Sequence, residues 1–232
     1  MRPRTVLVLF FSLGVSVIYV AAAKGQQLSH TSVGGQSADR GEDLPTIQVG
    51  TEELQALHDN QASKQVHVNA IEQASGNETR PLAIIVDRIG GHPALPTNAD
   101  LILVGEVKSR EAHLDPQGAK TTLTIQVASV LKGPPGFHAV PGSNISVLRF
   151  GANVQLPSGK TVTYRNYGER MPQLGKHYLL FLSRESDSYG IITGYELQSG
   201  RVTSLDDPNA RPAYRKYNGG DEAELMSAVT KQ

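Results

Sequence analysis

From residue 81 onward the chain is a series of short apolar runs separated by turn residues, and this pattern constrains the fold more than any other feature. The runs are rich in β-branched and aromatic residues, and glycine, proline, asparagine and aspartate separate them. Such runs are too short for helices and are typical of strands. Seven strands are predicted, over residues 82–86, 101–109, 121–131, 145–150, 161–165, 178–182 and 189–195. The sequence therefore predicts a mostly β domain over residues 81–232.

The distribution of apolar residues along these runs indicates which faces are buried. In residues 122–127 apolar and polar side chains alternate, so one face should be core and the other wet. Residues 101–104 and 179–182 are apolar on both faces, which predicts central strands that are covered on both sides or curled within a closed barrel. Near the end, Asp221 and Glu224 resemble a capping box, and Leu225, Met226 and Val229 form an apolar stripe. A C-terminal helix is expected there.

The N-terminus reads as an export signal. Arg2 and Arg4 precede an uncharged apolar run that ends in Ala21-Ala22-Ala23, which is the pattern of a signal peptide over residues 1–23. An uncleaved membrane anchor is the alternative, since the run approaches the length that spans a bilayer. In both cases the rest of the chain is expected outside the cytoplasm, either periplasmic or secreted. The protein is expected to contact a membrane only if this N-terminal segment is retained.

Residues 24–80 differ in composition from the strand-rich region. Residues 24–50 are rich in glycine, serine and glutamine with scattered apolar residues, which predicts a disordered spacer. In residues 51–80, Thr51 can cap a helix whose first turn holds Glu52 and Glu53, and Leu54 and Leu57 share one face. A short N-terminal helix followed by a linker is expected here.

Composition excludes several classes of function. The chain has no cysteine, so it cannot form a disulfide framework or a thiolate metal site. It has 22 Lys+Arg and 22 Asp+Glu, and removal of Arg2 and Arg4 leaves 20 against 22, a formal net charge of minus 2. There is no basic field for nucleic acid, and no nucleic-acid partner is expected.

No motif in the sequence carries recognisable catalysis. The nucleophile elbow Gly-x-Ser-x-Gly is missing, and Ser129 and Lys132 spell Ser-x-x-Lys on a predicted strand, where they face opposite sides. The seven histidines lack metal-ligand spacing. Residues 206–209, Asp-Asp-Pro-Asn, could offer oxygen ligands to calcium but lack the spacing of a known loop, so a capped turn is favoured. The prediction is no catalytic residue, no cofactor and no metal site.

One predicted loop combines residue types that are common at binding surfaces. Tyr164, Arg165, Tyr167 and Arg170 lie in residues 164–170, and Tyr214 belongs to a similar segment near the end. Aromatic and guanidinium groups offer large area and directional donors at low entropic cost. These five residues are the candidate partner contacts; the alternative is that they are ordinary loop side chains over the rim of the fold.

The order of three short motifs resembles a known group of folds. These are Asn98-Ala99-Asp100 before the strand at 101–107, Val130-Leu131-Lys132-Gly133, and Leu174-Gly175-Lys176-His177-Tyr178-Leu179-Leu180-Phe181. Together they resemble the netrin-like and tissue-inhibitor-of-metalloproteinase group of OB-type barrels. The resemblance covers roughly residues 98–195 and implies an OB-like antiparallel β-barrel. Inhibitors in that group reach the protease zinc through an N-terminal cysteine, and this chain has none, so inhibition by that mechanism is excluded.

These observations favour a non-enzymatic module outside the cytoplasm that binds a protein or a glycan of the cell envelope. Two alternatives remain open. One is an envelope hydrolase whose site is assembled from residues distant in sequence. The other is a structural envelope protein that is held at the membrane by the N-terminal segment. The ligand, the strand order and the oligomeric state do not follow from the sequence.

Overall fold

The structure is a computed structural model that describes residues 44–52, 92–115, 118–137, 139–186 and 188–231, together with the backbone of residues 16–21 and 82–88. The elements, in chain order, are strands β1 Ser16–Ala21, β2 Thr46–Gln48, β3 Leu82–Arg88, β4 Leu101–Asp115, β5 Gly118–Lys132, β6 Asn144–Phe150, β7 Ala152–Gln155, β8 Thr161–Asn166, β9 His177–Glu185, β10 Ser188–Gln198 and β11 Arg201–Ser204, a 3-10 helix at Pro212–Lys216, and helix α1 at Glu222–Thr230. All seven predicted strands are present, and the described part of the chain is mostly β.

The larger sheet closes on itself in a ring. Its order is β11-β10-β6-β5-β4-β9, and β9 also pairs with β10, so that β4, β5, β6, β10 and β9 form a closed circuit. Every pair in this sheet is antiparallel except β6 and β10, which run parallel. The long β4 and β5 form a hairpin whose register shifts at three places. Such bulges bend a strand and increase its twist, which helps a sheet to close.

The inside of the ring holds the main apolar core. The alternation predicted for residues 122–127 is confirmed, because Leu123, Ile125 and Val127 are buried in this core. From the neighbouring strands, Leu103 and Leu180 join them. A fully buried leucine or isoleucine stabilises a fold by roughly 1.5–3 kcal/mol through removal of apolar area from water. This inner cluster therefore fixes the register of the ring.

A second cluster lies on the outer face of β4, β9 and β10. The strands that are apolar on both faces divide their side chains between the two clusters: Leu101 faces inward and Ile102 outward. Leu225 and Val229 of α1 cover the outer cluster, so the prediction of a C-terminal helix is confirmed. The Asp221 carboxylate accepts hydrogen bonds from the backbone N–H groups of residues 223 and 224, as the capping pattern predicts.

The smaller sheet has the order β1-β3-β8-β7-β2. A third cluster joins it to the start of β5, through residues that include Ala119, Val154, Val162 and Tyr164. Gly118 permits this close approach, because a Cβ at its φ of +122° would lie 3.0 Å from the Phe150 ring. The smaller sheet therefore packs against the end of the β4–β5 hairpin.

The folded region begins earlier than the sequence predicts. Residues 46–48, within the expected spacer, form β2 and pair in parallel with β7, and Leu44 and Val49 are buried. Leu44 joins the main core inside the ring, and Val49 joins the third cluster. Composition averaged over residues 24–50 conceals these few apolar residues. Residues 24–43 lie outside the described residues. So does nearly all of the predicted helix and linker at 51–80, of which Thr51 and Glu52 are described, in helical conformation.

The segment predicted as a signal peptide includes β1, whose backbone pairs with β3. The ring does not include this strand. Within the described ranges, no helix is long and apolar enough to span a bilayer.

Candidate functional site

The structure does not bring the five sequence-predicted contact residues to one surface. Tyr164 lies on β8 and is fully buried in the third cluster, and Tyr214 is fully buried in the outer cluster. Burial raises the pKa of both phenols, that of Tyr214 to about 12. Both are core residues, which corrects the expectation of an exposed loop. Arg165 is half-buried, whereas Arg170 and Tyr167, at 54% exposure, remain on the surface.

Tyr214 and Tyr195 hold the segment that leads into β4. The Tyr214 hydroxyl donates to the backbone carbonyl of His92 at 3.1 Å, and the Tyr195 hydroxyl donates to that of Ala94 at 2.9 Å. The two rings lie 6.3 Å apart in the outer cluster. Each tyrosine fills the core with its ring and satisfies a carbonyl with its hydroxyl, as buried tyrosines usually do. Tyr214 therefore has a structural role.

A shallow cleft opens where the β5–β6 loop meets the β9–β10 turn. Its volume is about 240 Å³. It is lined by Pro134, Pro135, Gly136, Phe137, Arg184, Ser186, Ser188 and Tyr189. Sequence reasoning did not single out any of these residues, because about 50 residues separate the two segments and the parallel pairing of β10 with β6 brings them together. We refer to this depression as the aromatic cleft.

Two aromatic rings form the floor of the aromatic cleft. Phe137 and Tyr189 meet edge to face, with ring centroids 6.0 Å apart and an interplanar angle of 81°. Both pack against the inner cluster, so the cleft lies over the core of the ring. The backbone N–H of Phe137 donates to the carbonyl of Pro134 at 3.0 Å, which closes a tight turn. The two prolines stiffen that turn and present it at low entropic cost.

Arg184 is the charged residue of the cleft lining. It pairs directly with Tyr189 across β9 and β10, so both side chains project from the same face of the sheet. Its backbone N–H donates to the Asp100 carboxylate at 2.8 Å, which anchors the strand at this point. The Glu185 carboxylate lies against Gly190, where an added Cβ would overlap it. Among the residues whose side chains are described, none forms an ion pair with the Arg184 guanidinium, which is exposed.

A buried charge network lies further along β6. The Arg149 guanidinium, 3.5 Å from the Glu169 carboxylate, is 2% exposed. Glu169 also pairs with Arg211 at 3.4 Å, and Arg211 lies 3.9 Å from Asp206. Asn166 donates to Glu169 at 2.8 Å. Two arginines thus face two carboxylates, which balances the charge inside a low-dielectric region.

Asp206 is the most deeply buried member of this network. Its carboxylate accepts a hydrogen bond from the Thr193 hydroxyl, and neither residue is exposed. Burial raises the pKa of Asp206, against the opposing effects of the Arg149 charge and the Thr193 hydrogen bond. A substrate cannot reach a hydroxyl and a carboxylate that have no solvent contact. The network therefore ties β6, β10 and the loop after β8 together and has no catalytic access.

The other sequence candidates take structural positions. Ser129 and Lys132 lie on β5, and the Lys132 ammonium donates to the Thr97 carbonyl at 3.1 Å. Asp207 accepts from the backbone N–H of Asn209 at 2.8 Å, which is the capped turn that the sequence favours over a calcium loop. Among the residues that the structure describes, no group of three histidine or acidic side chains is arranged to hold a metal ion.

Comparison with models of known protein families found no match. A search of curated proteins likewise found no similar sequence.

Proposed function

We propose that this protein is a non-enzymatic binding module outside the cytoplasm, which holds a protein or glycan partner in the aromatic cleft. The observation that carries the proposal is the cleft itself. It combines an aromatic pair, two prolines and an arginine without an ion-pair partner in the described chain. Aromatic and arginine side chains contribute most of the binding energy at protein interfaces. The signal-peptide pattern of residues 1–23 supports a location in the cell envelope or beyond.

We also propose that the ring-like sheet is an OB-like barrel of the netrin-like type. Five strands close the circuit, which is the strand number of an OB-fold. The positions of the three motifs support this proposal: residues 98–100 precede β4, residues 130–132 end β5, and residues 174–181 run into β9. OB-folds bind their ligands with strand faces and adjacent loops, and the aromatic cleft lies between two such loops.

Binding is favoured over hydrolysis by the positions of the polar groups. The buried acid and hydroxyl, Asp206 and Thr193, have no access to solvent. In the cleft, the Ser188 hydroxyl donates to the Glu185 carbonyl at 3.2 Å rather than to a base. A serine nucleophile needs an adjacent general base. The hydrolase alternative would therefore need a different constellation.

The test is site-specific photo-crosslinking of the full chain in its own cells. A photoreactive amino acid replaces Ser188 at the cleft in one variant and Tyr167 on the surface of the 167–176 loop in a second. The first variant is expected to capture a partner in stoichiometric yield, which mass spectrometry then identifies. Capture at Tyr167 alone would move the site to the loop that the sequence singled out. No capture at either position would overturn the binding-module proposal.

A further inference from the structure

We propose that the ligand of the aromatic cleft is an extended peptide segment of a partner protein, in which a carboxylate side chain neighbours an apolar one. This inference rests on the proposed function, because it names the ligand of the same site. Arg184 would hold the carboxylate, and the rings of Phe137 and Tyr189 would contact the apolar neighbour.

The charge of the ligand follows from Arg184. It is the sole charged residue in the described lining of the cleft, and the adjacent Glu185 carboxylate turns toward Gly190. A guanidinium presents its donors in a rigid fork that matches the geometry of a carboxylate. Because Arg184 pairs with Tyr189 across the two strands, this fork lies beside the aromatic floor. An anionic group and an apolar group can therefore occupy the cleft together.

The size of the cleft indicates a linear segment. Its volume of about 240 Å³ is below the roughly 300–1,000 Å³ of pockets for small molecules. One or two side chains fit, and the depression is open, so the chain that carries them can continue on either side. The stiff Pro134–Pro135 turn forms one wall. Such a preorganised wall lowers the entropic cost of binding a flexible segment.

A peptide fits the lining better than a glycan does. Sugars need an open ring face for stacking and many hydrogen-bond donors and acceptors for their hydroxyl groups. Here Phe137 and Tyr189 meet edge to face and both are half-buried. The Ser188 hydroxyl already donates to the Glu185 carbonyl. The polar groups of the lining that can serve a ligand are then those of Arg184, Ser186 and the Tyr189 hydroxyl, which are few for a sugar and enough for a single carboxylate.

The experiment is selection from a random dodecapeptide phage library on the immobilised full chain. The enriched peptides are expected to share an aspartate or glutamate next to an apolar residue. The best peptide should bind the Arg184→Gln variant at least about tenfold more weakly than the parent chain, since a charge-assisted hydrogen bond is lost. The peptide's own acid-to-amide variant should lose as much. Arg184→Lys should retain part of the affinity. Arg201→Gln is the matched control, because Arg201 is exposed at the start of β11, outside the cleft.

The outcomes separate the inference from the proposed function. The enriched peptides could lack an acid, bind the Arg184→Gln variant as well as the parent chain, and bind the Phe137→Ala variant more weakly. That result would overturn the acidic ligand and leave the cleft as the binding site. The same holds if the library enriches nothing while a glycan array shows binding that Phe137→Ala abolishes. Binding that neither Arg184→Gln nor Phe137→Ala affects would overturn both.

Discussion

At the scale of single residues, the protonation of Asp206 couples stability to pH. Burial raises the pKa of this carboxyl in the folded chain, so the folded state holds its proton more tightly than the unfolded state does. The resulting stabilisation is fully present below about pH 4, the ordinary pKa of an aspartate, and is lost as pH rises through the folded pKa. The slope is at most about 1.4 kcal/mol per pH unit.

Asp206→Asn removes this dependence. Because the amide replaces a buried, hydrogen-bonded carboxyl and has no proton to titrate, we expect the variant to be less stable than the parent chain by about 1–3 kcal/mol at acid pH. The destabilisation should be largest at acid pH, and the difference from the parent chain should shrink as pH rises. Urea unfolding of both chains between pH 4 and 7.5 measures it. A difference that grows with pH would show that the Asp206 pKa is lowered instead.

Gly105 tests how closely β4 and β5 pack. A Cβ at this position would lie 2.7 Å from the carbonyl oxygen of Gln126, and the register shifts between Val104 and Gly105. Gly105→Ala should cost about 1–3 kcal/mol of unfolding free energy through overpacking. Gly50→Ala is the matched control, because nothing lies within 4 Å of its added Cβ. Equal stability of the two variants in urea unfolding would contradict the close approach.

At the scale of elements, α1 depends on its N-cap. The Asp221 carboxylate satisfies two backbone N–H groups at the start of the helix, and such a cap contributes about 0.5–2 kcal/mol. Asp221→Ala should lower the free energy of unfolding by that amount. Ser227→Ala, on the exposed side of the same helix, should leave it unchanged or slightly raised. If both variants unfold alike, the cap adds nothing to stability.

Elements with strong local signals could be predicted, and those that depend on pairing could not. The seven longer runs and the capped α1 carry their own pattern. By contrast, β2, β7 and β11 have three or four residues each. A local signal for β11 does exist in the turn before it. Ser199 and Gly200 have φ of +53° and +77°, and a Ser-Gly pair is typical of a hairpin turn. Strands this short owe their existence to a neighbour.

The candidate site was beyond sequence reasoning for the same reason. Phe137 lies in the β5–β6 loop and Tyr189 on β10, and the closure of the ring brings their ring centroids to 6.0 Å from each other. Two of the five residues that the sequence favoured are core residues: Tyr164 lies on β8 with its side chain in the third cluster, and Tyr214 lies in the outer cluster. An aromatic residue next to an arginine looks the same in sequence whether it faces solvent or core.

At the scale of the whole molecule, the ring has different properties at two places along β6. Tyr189 of the aromatic cleft pairs with Val147 of β6, and the charge network begins at Arg149, two residues on. At about 3.3 Å per residue this is roughly 7 Å along the strand. The cleft is open and stiff, whereas the network is closed and ties the connecting segments to the ring. The two are linked through β10, because the Arg149 guanidinium donates to the carbonyl of Ile191, two residues after Tyr189.

The export prediction concerns the chain as a whole and can be tested by its mass. Cleavage after Ala23 should give a chain that begins at Lys24, found outside the cytoplasm, because small residues end the apolar run. That chain lacks β1, which in the described part of the chain pairs with β3 and not with the ring. Its ring should therefore unfold at the same urea midpoint as the ring of the unprocessed chain. Intact mass spectrometry of the protein from its native cells gives the N-terminus, and Ala23→Lys should block processing. An unprocessed parent chain in the membrane fraction would support the anchored alternative.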